Sequence, residues 1–217
     1  MTDALRDAAD TMRAVRERCV WSQQITHRDL VPYLIEESHE VIEAIEDGSR
    51  ADLREELGDL LWQVLFHAAI AAQDPDDPFD IDDVAQTLTE KMVRRHPHVF
   101  GEVTASTPEE VLVHWNAAKA AEKRARRSVF DGVPRGMPAL ALAQKLAGRA
   151  ADVLPASAPE PIEGSKTTSP ASEAELGDAL LALVAHARVN GWDAERALRE
   201  RLRVLETEVR AAEADRS

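Results

Sequence analysis

The sequence predicts an all-α protein, and three observations predict it. Apolar residues recur at three- and four-residue intervals through most of the chain. Alternating apolar and polar runs of strand type are almost missing, and aromatic residues make up only 4% of the 217 residues. Caps, glycines and prolines fall between the periodic segments, where helices begin and end. The periodicity places helices over 3–18, 30–47, 51–72, 81–95, 107–126, 138–152, 173–189 and 193–213.

Each element has its own warrant. The opening segment is charged and amphipathic, with no apolar run of the signal-peptide kind. The second predicted helix sets Leu30, Val31, Leu34, Val41, Ile42 and Ile45 on one face, which reads as a core face. Gly48 follows, where a helix end favours a residue tolerant of positive φ. The third helix is apolar on almost every side beyond Arg54 and is expected to lie buried among several neighbours. Asp74-Pro75 and Pro78 close it, because proline lacks a donor and restricts the residue before it. Thr107-Pro108-Glu109-Glu110 is a helix start, with an N-cap, a proline and first-turn acids. Residues 153–172 hold four prolines among Ser, Thr and Gly and read as a linker. The expected division is therefore a body of 1–152, that linker, and a helical tail of 173–217. Within the tail, ELGDALLALVAH at 175–186 repeats the pattern ELGDLLWQVLFH at 56–67, which points to an old duplication.

Charge and composition exclude some functions. Lys and Arg total 26 against 40 Asp and Glu, a formal net charge of −14. Such an acidic surface argues against coating a nucleic acid, where phosphate charge must be neutralised. No apolar stretch reaches the roughly 18 residues that cross a bilayer. Cys19 is the single cysteine and has no internal partner, so a reducing cytoplasm is expected.

The chemistry gathers on two helices. At about 100° per residue, Glu56, Asp59, Gln63 and His67 share an arc of about 80° on the apolar third helix. Glu36, Glu37 and Glu40 share about 100° of the second. Alone, the run EESHE is a solvated acidic face. A short turn at Gly48 makes the two helices an antiparallel hairpin, however, and four or five carboxylates then converge. Like charges at that density call for a cation. All-oxygen ligands select a hard ion, Mg²⁺ or Mn²⁺ in its place. Lys91, Arg94 and Arg95 occupy one face of the fourth helix and are expected to oppose the acids, forming a polyphosphate cradle. Trp115, Lys119 and Lys123 share a face of the next one; residues 123–127 read as ordinary surface charge.

These residues resemble a known family. Glu36-Glu37-x-x-Glu40, then Glu56-x-x-Asp59 after fifteen residues, is similar to the EExxE…ExxD signature of the all-α MazG-type nucleoside triphosphate pyrophosphohydrolases. Trp21-x-x-Gln24-x-Thr26-His27, the run from Glu90-Lys91 through Arg94-Arg95-His96-Pro97-His98-Val99-Phe100-Gly101, and His114-Trp115 with Lys119 and Glu122-Lys123 agree with it. The likeness spans about residues 5–150, and the tail in weaker form. It implies a four-helix-bundle unit that dimerises, or assembles further. It also implies magnesium-dependent hydrolysis of NTP or dNTP to monophosphate and pyrophosphate, a housekeeping removal of noncanonical or damaged nucleotides. By position, Glu37, Glu40, Glu56 and Asp59 would hold Mg²⁺, with Glu36 and Glu37 the catalytic pair. Lys91, Arg94, Arg95 and Lys119 would bind phosphates, and Trp115 would stack or pack near the nucleotide.

The chain also departs from that pattern. Cys19-Val20-Trp21-Ser22 stands where the family has CPWD. The second repeat has no acidic helix before Glu175, and Val204, Thr207 and Glu208 stand where its phosphate-binding cations would fall. Glu175 and Asp178 are then relics or capping groups. Two other readings start from the same residues. A di-iron or di-manganese carboxylate bundle needs two Glu-x-x-His motifs, and only Glu36 with His39 supplies one. A non-enzymatic helical adaptor would use the tail, but residues 36–95 keep a full set of acids and cations.

Overall fold

Asp3 opens the first helix by accepting the Arg6 N–H, and α1 runs Ala4–Arg18. The computed structural model describes residues 3–122, 128–151 and 170–214, with side chains to 209. Every regular element among them is helical, as the periodicity requires. They are α1, α2 (Val20–Gln24), α3 (Val31–Glu46), α4 (Arg50–Ala71), α5 (Ile81–Arg95), α6 (Pro97–Phe100), α7 (Pro108–Glu122), α8 (Ala139–Ala150), α9 (Glu173–Val189) and α10 (Ala194–Ala214).

Two compact units result, Met1–Glu122 and Lys123–Ser217. The second unit takes in α8, which packs on α9 and α10. That differs from the expected division, in which 138–152 belonged to the body. Most of the expected linker, and the end of the helix expected at 107–126, lie outside the described residues.

In the first unit α3 and α4 form the expected hairpin, and α1 lies along α4. The hairpin depends on its turn. Ser49 and Asp52 form a capping box: the Ser49 N–H donates to Asp52 Oδ2 at 2.7 Å and the Asp52 N–H to Ser49 Oγ at 3.2 Å. Gly48 is required here, though not for positive φ, which among the described residues only Gly132 and Gly191 adopt. A Cβ on Gly48 would lie 2.7 Å from Ala44 Cα, so close approach of backbone to backbone excludes any side chain. Asp80 and Asp83 make a second capping box at the start of α5.

The core of this unit joins Ala9 and Met12 of α1, Leu30, and Leu65 and Phe66 of α4. Arg16 sits beside it with 8% of its surface exposed. Its Nη1 donates to the carbonyls of Ser22 and Ile25, and its Nε to Gln73 Oε1 at 2.9 Å. One guanidinium thus ties α1 to α2, to the residue after it and to the segment just after α4. Arg16→Met would strand those acceptors. It is expected to lower unfolding free energy by about 2–4 kcal/mol, measured by urea titration.

The hairpin's outer face is uncovered. Of the expected core face of α3, only Leu30 is buried; Val31 and Ile45 are 47% and 64% exposed, and Leu34 is exposed too. Leu57 and Val64 are exposed on α4. The stripe is therefore not the buried core face that its periodicity predicts: Val41 and Ile42 are half-buried, and no other described element of the unit covers the rest.

In the second unit Gly191 takes φ 71° and lets the Trp192 N–H close on the Ala187 carbonyl at 2.8 Å. Gln144 of α8 accepts the Ala194 N–H and donates to the Trp192 carbonyl, joining α8 to the start of α10. Glu175 has a capping role: its carboxylate accepts the Ala171 N–H at 2.8 Å while its own N–H donates to Ser172 Oγ. No described helix is long and apolar enough to cross a membrane.

Candidate metal centre

The hairpin turns Glu37 of α3 toward Glu56 and Asp59 of α4. Each offers a carboxylate oxygen, and these three oxygens lie within 4.8 Å of one another. They are the one group of three or more potential metal ligands among the described residues. Glu37 and Glu56 are half-buried, while Asp59 is exposed, contrary to the expected burial of that acid. Gln63, one turn on and 5% exposed, donates its Nε2 to Glu37 Oε1 at 3.3 Å and aims that carboxylate.

Electrostatics there are one-sided. Partial burial, then the charges of Asp59 and Glu40, push the Glu37 carboxyl above its ordinary range. The Glu56 carboxyl is raised by burial, then by Glu40, Asp59 and other acids. Glu40 therefore acts on the cluster without contributing an oxygen to the close triad. Glu36 is exposed, one residue from the triad along α3.

The donor set suits a hard divalent cation. Octahedral Mg²⁺ with ligands at about 2.0–2.1 Å places its oxygens about 2.9–4.1 Å apart. Three carboxylates already within 4.8 Å need only small side-chain rotations to reach that spacing. His67 of the polar stripe does not join them. It meets His27 instead, with Nδ1 atoms 2.8 Å apart and ring planes 6° from parallel.

The cations form a second cluster, between α5 and α7. Arg95 forks onto Glu122, with Nε 3.1 Å and Nη2 2.5 Å from Oε2, and its guanidinium carbon lies 5.3 Å from the centre of the Trp115 ring. Arg94 reaches the same carboxylate once, at 3.4 Å. Trp115 also meets the His96 ring edge-on at 4.9 Å between centroids. Lys91 and Lys119 are half-buried on the same two helices. The structure thus brings Arg94, Arg95 and Trp115 together around Glu122. Spacing alone gave no sign of this, because the organising acid lies 27 residues beyond Arg95.

Comparison with known proteins gives the arrangement a context. The sequence profile of the MazG nucleotide pyrophosphohydrolase domain matches residues 25–100, a span holding the acids and the α5 cations. The Thermotoga maritima nucleoside triphosphate pyrophosphohydrolase/pyrophosphatase MazG is 39% identical over 199 residues, covering 86% of this chain and 76% of that protein. The chain belongs to the MazG family. Another relative, an uncharacterized 26.1 kDa protein of Streptomyces cacaoi, is 48% identical over 96% of this chain and 82% of its own length. The nucleoside triphosphate pyrophosphohydrolase of Mycobacterium tuberculosis is 50% identical over 148 residues, 68% of this chain. The chain spans 45% of that protein and 50% of its Mycolicibacterium smegmatis counterpart, about half of each. Trp115 and Lys119 of α7 lie beyond the part matched by the MazG profile.

Proposed function

We propose that the chain hydrolyses nucleoside triphosphates, NTP or dNTP, to the monophosphate and pyrophosphate. The observation that carries this reading is the like-charged triad of Glu37, Glu56 and Asp59 within a MazG domain. With Glu40 these residues would hold Mg²⁺, or Mn²⁺ as a substitute. A divalent ion there supplies neutralisation of triphosphate charge and acidification of water. The chain's own groups do the rest. Glu36 and Glu37 orient the attacking water and take its proton as it adds to the α-phosphorus. Lys91, Arg94, Arg95 and Lys119 balance charge on the departing pyrophosphate. Trp115 offers a flat apolar surface near the nucleotide. Housekeeping removal of noncanonical or damaged nucleotides, in the cytoplasm, is the role that suits such a site.

The test is product analysis. The full chain, with Mg²⁺ and each common NTP and dNTP, is expected to yield monophosphate and pyrophosphate, and none after chelation. Diphosphate with inorganic phosphate, or no turnover of any nucleotide, would overturn the reading. Faster turnover of oxidised or uracil-containing nucleotides is the result expected of the housekeeping role.

A homodimer, or a higher assembly, completes the proposal. Val31, Leu34, Ile35 and Ile45 lie within an arc of about 100° on α3 at about 100° per residue, and all four are exposed. A second copy of the hairpin is the occupant that matches them and would complete a four-helix bundle. Leu34→Glu with Ile45→Glu is expected to weaken self-association at least about tenfold, since charge enters a face that should close on apolar surface. Sedimentation equilibrium measures it.

A further inference from the structure

The second unit carries an apolar seam that none of its described residues covers. On α10, Leu198, Leu202, Leu205 and Val209 follow the 4-3-4 spacing of a coiled-coil seam and stand 47–53% exposed. Beyond Ala194 at its start, the half-buried residues of the helix are Glu195, Arg199 and Arg203, on another arc. α10 therefore packs within its unit through charged residues and leaves its apolar stripe free.

We propose that this stripe is a self-association surface, on which α10 of a second copy lies antiparallel. With the leucines as alternating d and a positions, Leu202 meets the second copy's Leu205, and Leu198 meets the second copy's Val209. The flanking charges decide the direction. Antiparallel pairing sets g against g and e against e. It places Arg201 beside the second copy's Glu208 and Arg199 beside the second copy's Glu206, each twice by symmetry. Parallel pairing joins Arg201 with the second copy's Glu206 and leaves Arg199 and Glu208 without such a match. Within one helix Arg201 and Glu208 lie along one edge, 3.4 Å apart at their closest atoms, both more than half exposed. A seam of twelve residues spans about 18 Å at 1.5 Å per residue, enough for two alternating layers and their symmetry mates. The same helix holds Val204, Thr207 and Glu208 where the first repeat's pattern would place phosphate-binding cations.

Sedimentation equilibrium of the full chain tests this. Leu202→Glu with Leu205→Glu is expected to halve the assembly mass or to raise its dissociation constant at least tenfold, with nucleotide turnover retained. Arg201→Glu and Glu208→Arg are each expected to weaken association severalfold, and the double reversal to restore it to within twofold of the wild type. Circular dichroism shows that each variant keeps its helices. Unchanged mass and dissociation constant in the leucine variant, as when a different protein occupies the seam, would overturn the proposal. A double reversal no tighter than the single ones would also overturn it. Loss of turnover in the wild type bears on the catalytic reading and leaves this one standing.

Discussion

Asp59→Asn is expected to abolish pyrophosphate release, and Glu56→Gln to do the same, while both proteins keep a helical spectrum. Each exchange keeps side-chain shape and removes one anionic ligand. Loss of a bound Lewis acid forfeits several kcal/mol of transition-state stabilisation, a fall of about a thousandfold or more in kcat. The metal-free fold should respond the other way. Glu37 and Glu56 have folded-state pKa values raised by burial first and by neighbouring acids next. A carboxyl with a raised folded value stabilises the fold below its ordinary unfolded range, and that contribution is lost as pH rises through the folded value. These two groups are therefore expected to lower the melting temperature of the apo protein as pH climbs above the ordinary carboxylate range. Mg²⁺ should restore it at neutral pH, where it binds the folded state alone, and do little near pH 4. Glu56→Gln removes one of the repelling charges, so its apo melting temperature at neutral pH should match or exceed the wild type's while the Mg²⁺ response disappears. Melts across pH with and without Mg²⁺ check both signs, and undiminished turnover in either variant with metal present would end the metal-centre assignment.

That acid cluster was largely legible from spacing, and it is instructive why other parts were not. Two helical periodicities and one short turn are local features, and together they place Glu37 opposite Glu56 and Asp59. The same reasoning located the eight longer helices closely, since caps and prolines mark their ends in sequence. α2 and α6, of five and four residues, are too short to show a period. Partners across long separations were hidden as well. Arg16 bonds to backbone carbonyls, which every residue has, so no residue type announces them. Glu122 meets Arg95 only because α7 packs on α5, a tertiary fact. The apolar face of α3 taught a different lesson. A periodic stripe reports that a surface wants cover, but Val31 and Ile45 remain exposed, so it does not report which element supplies it.

The cation cluster yields the other large expected effect. Arg95→Ala should lower kcat/KM for nucleotide about a hundredfold, and Arg94→Ala about tenfold, the latter mainly through KM. The difference follows from how the two are held. The Arg95 side chain is 16% exposed, forked onto Glu122 and faced by Trp115, whereas that of Arg94 is 57% exposed with one long contact. Arg94 is free to swing to a phosphate, so its removal costs one charge-assisted contact. Arg95 also fixes α5 against α7 and sets the position of Trp115, so its removal disturbs several groups at once. Arg95→Lys should not rescue, because an ammonium lacks both the planar fork and the flat face that lies against the indole. A stability signature separates this from a simple loss of charge. The hydrogen bond from Arg95, then its charge and that of Arg94, hold the Glu122 carboxyl below its ordinary range. A depressed folded value contributes stability above the unfolded pKa, and that contribution fades as pH falls through the lower one. Wild-type melting temperature should therefore drop on acidification through this pair, and Arg95→Ala should flatten that part of the profile. If Arg95→Ala instead binds and turns over nucleotide like the wild type, Glu122 is the true partner of Arg95, and the pair serves only to join two helices.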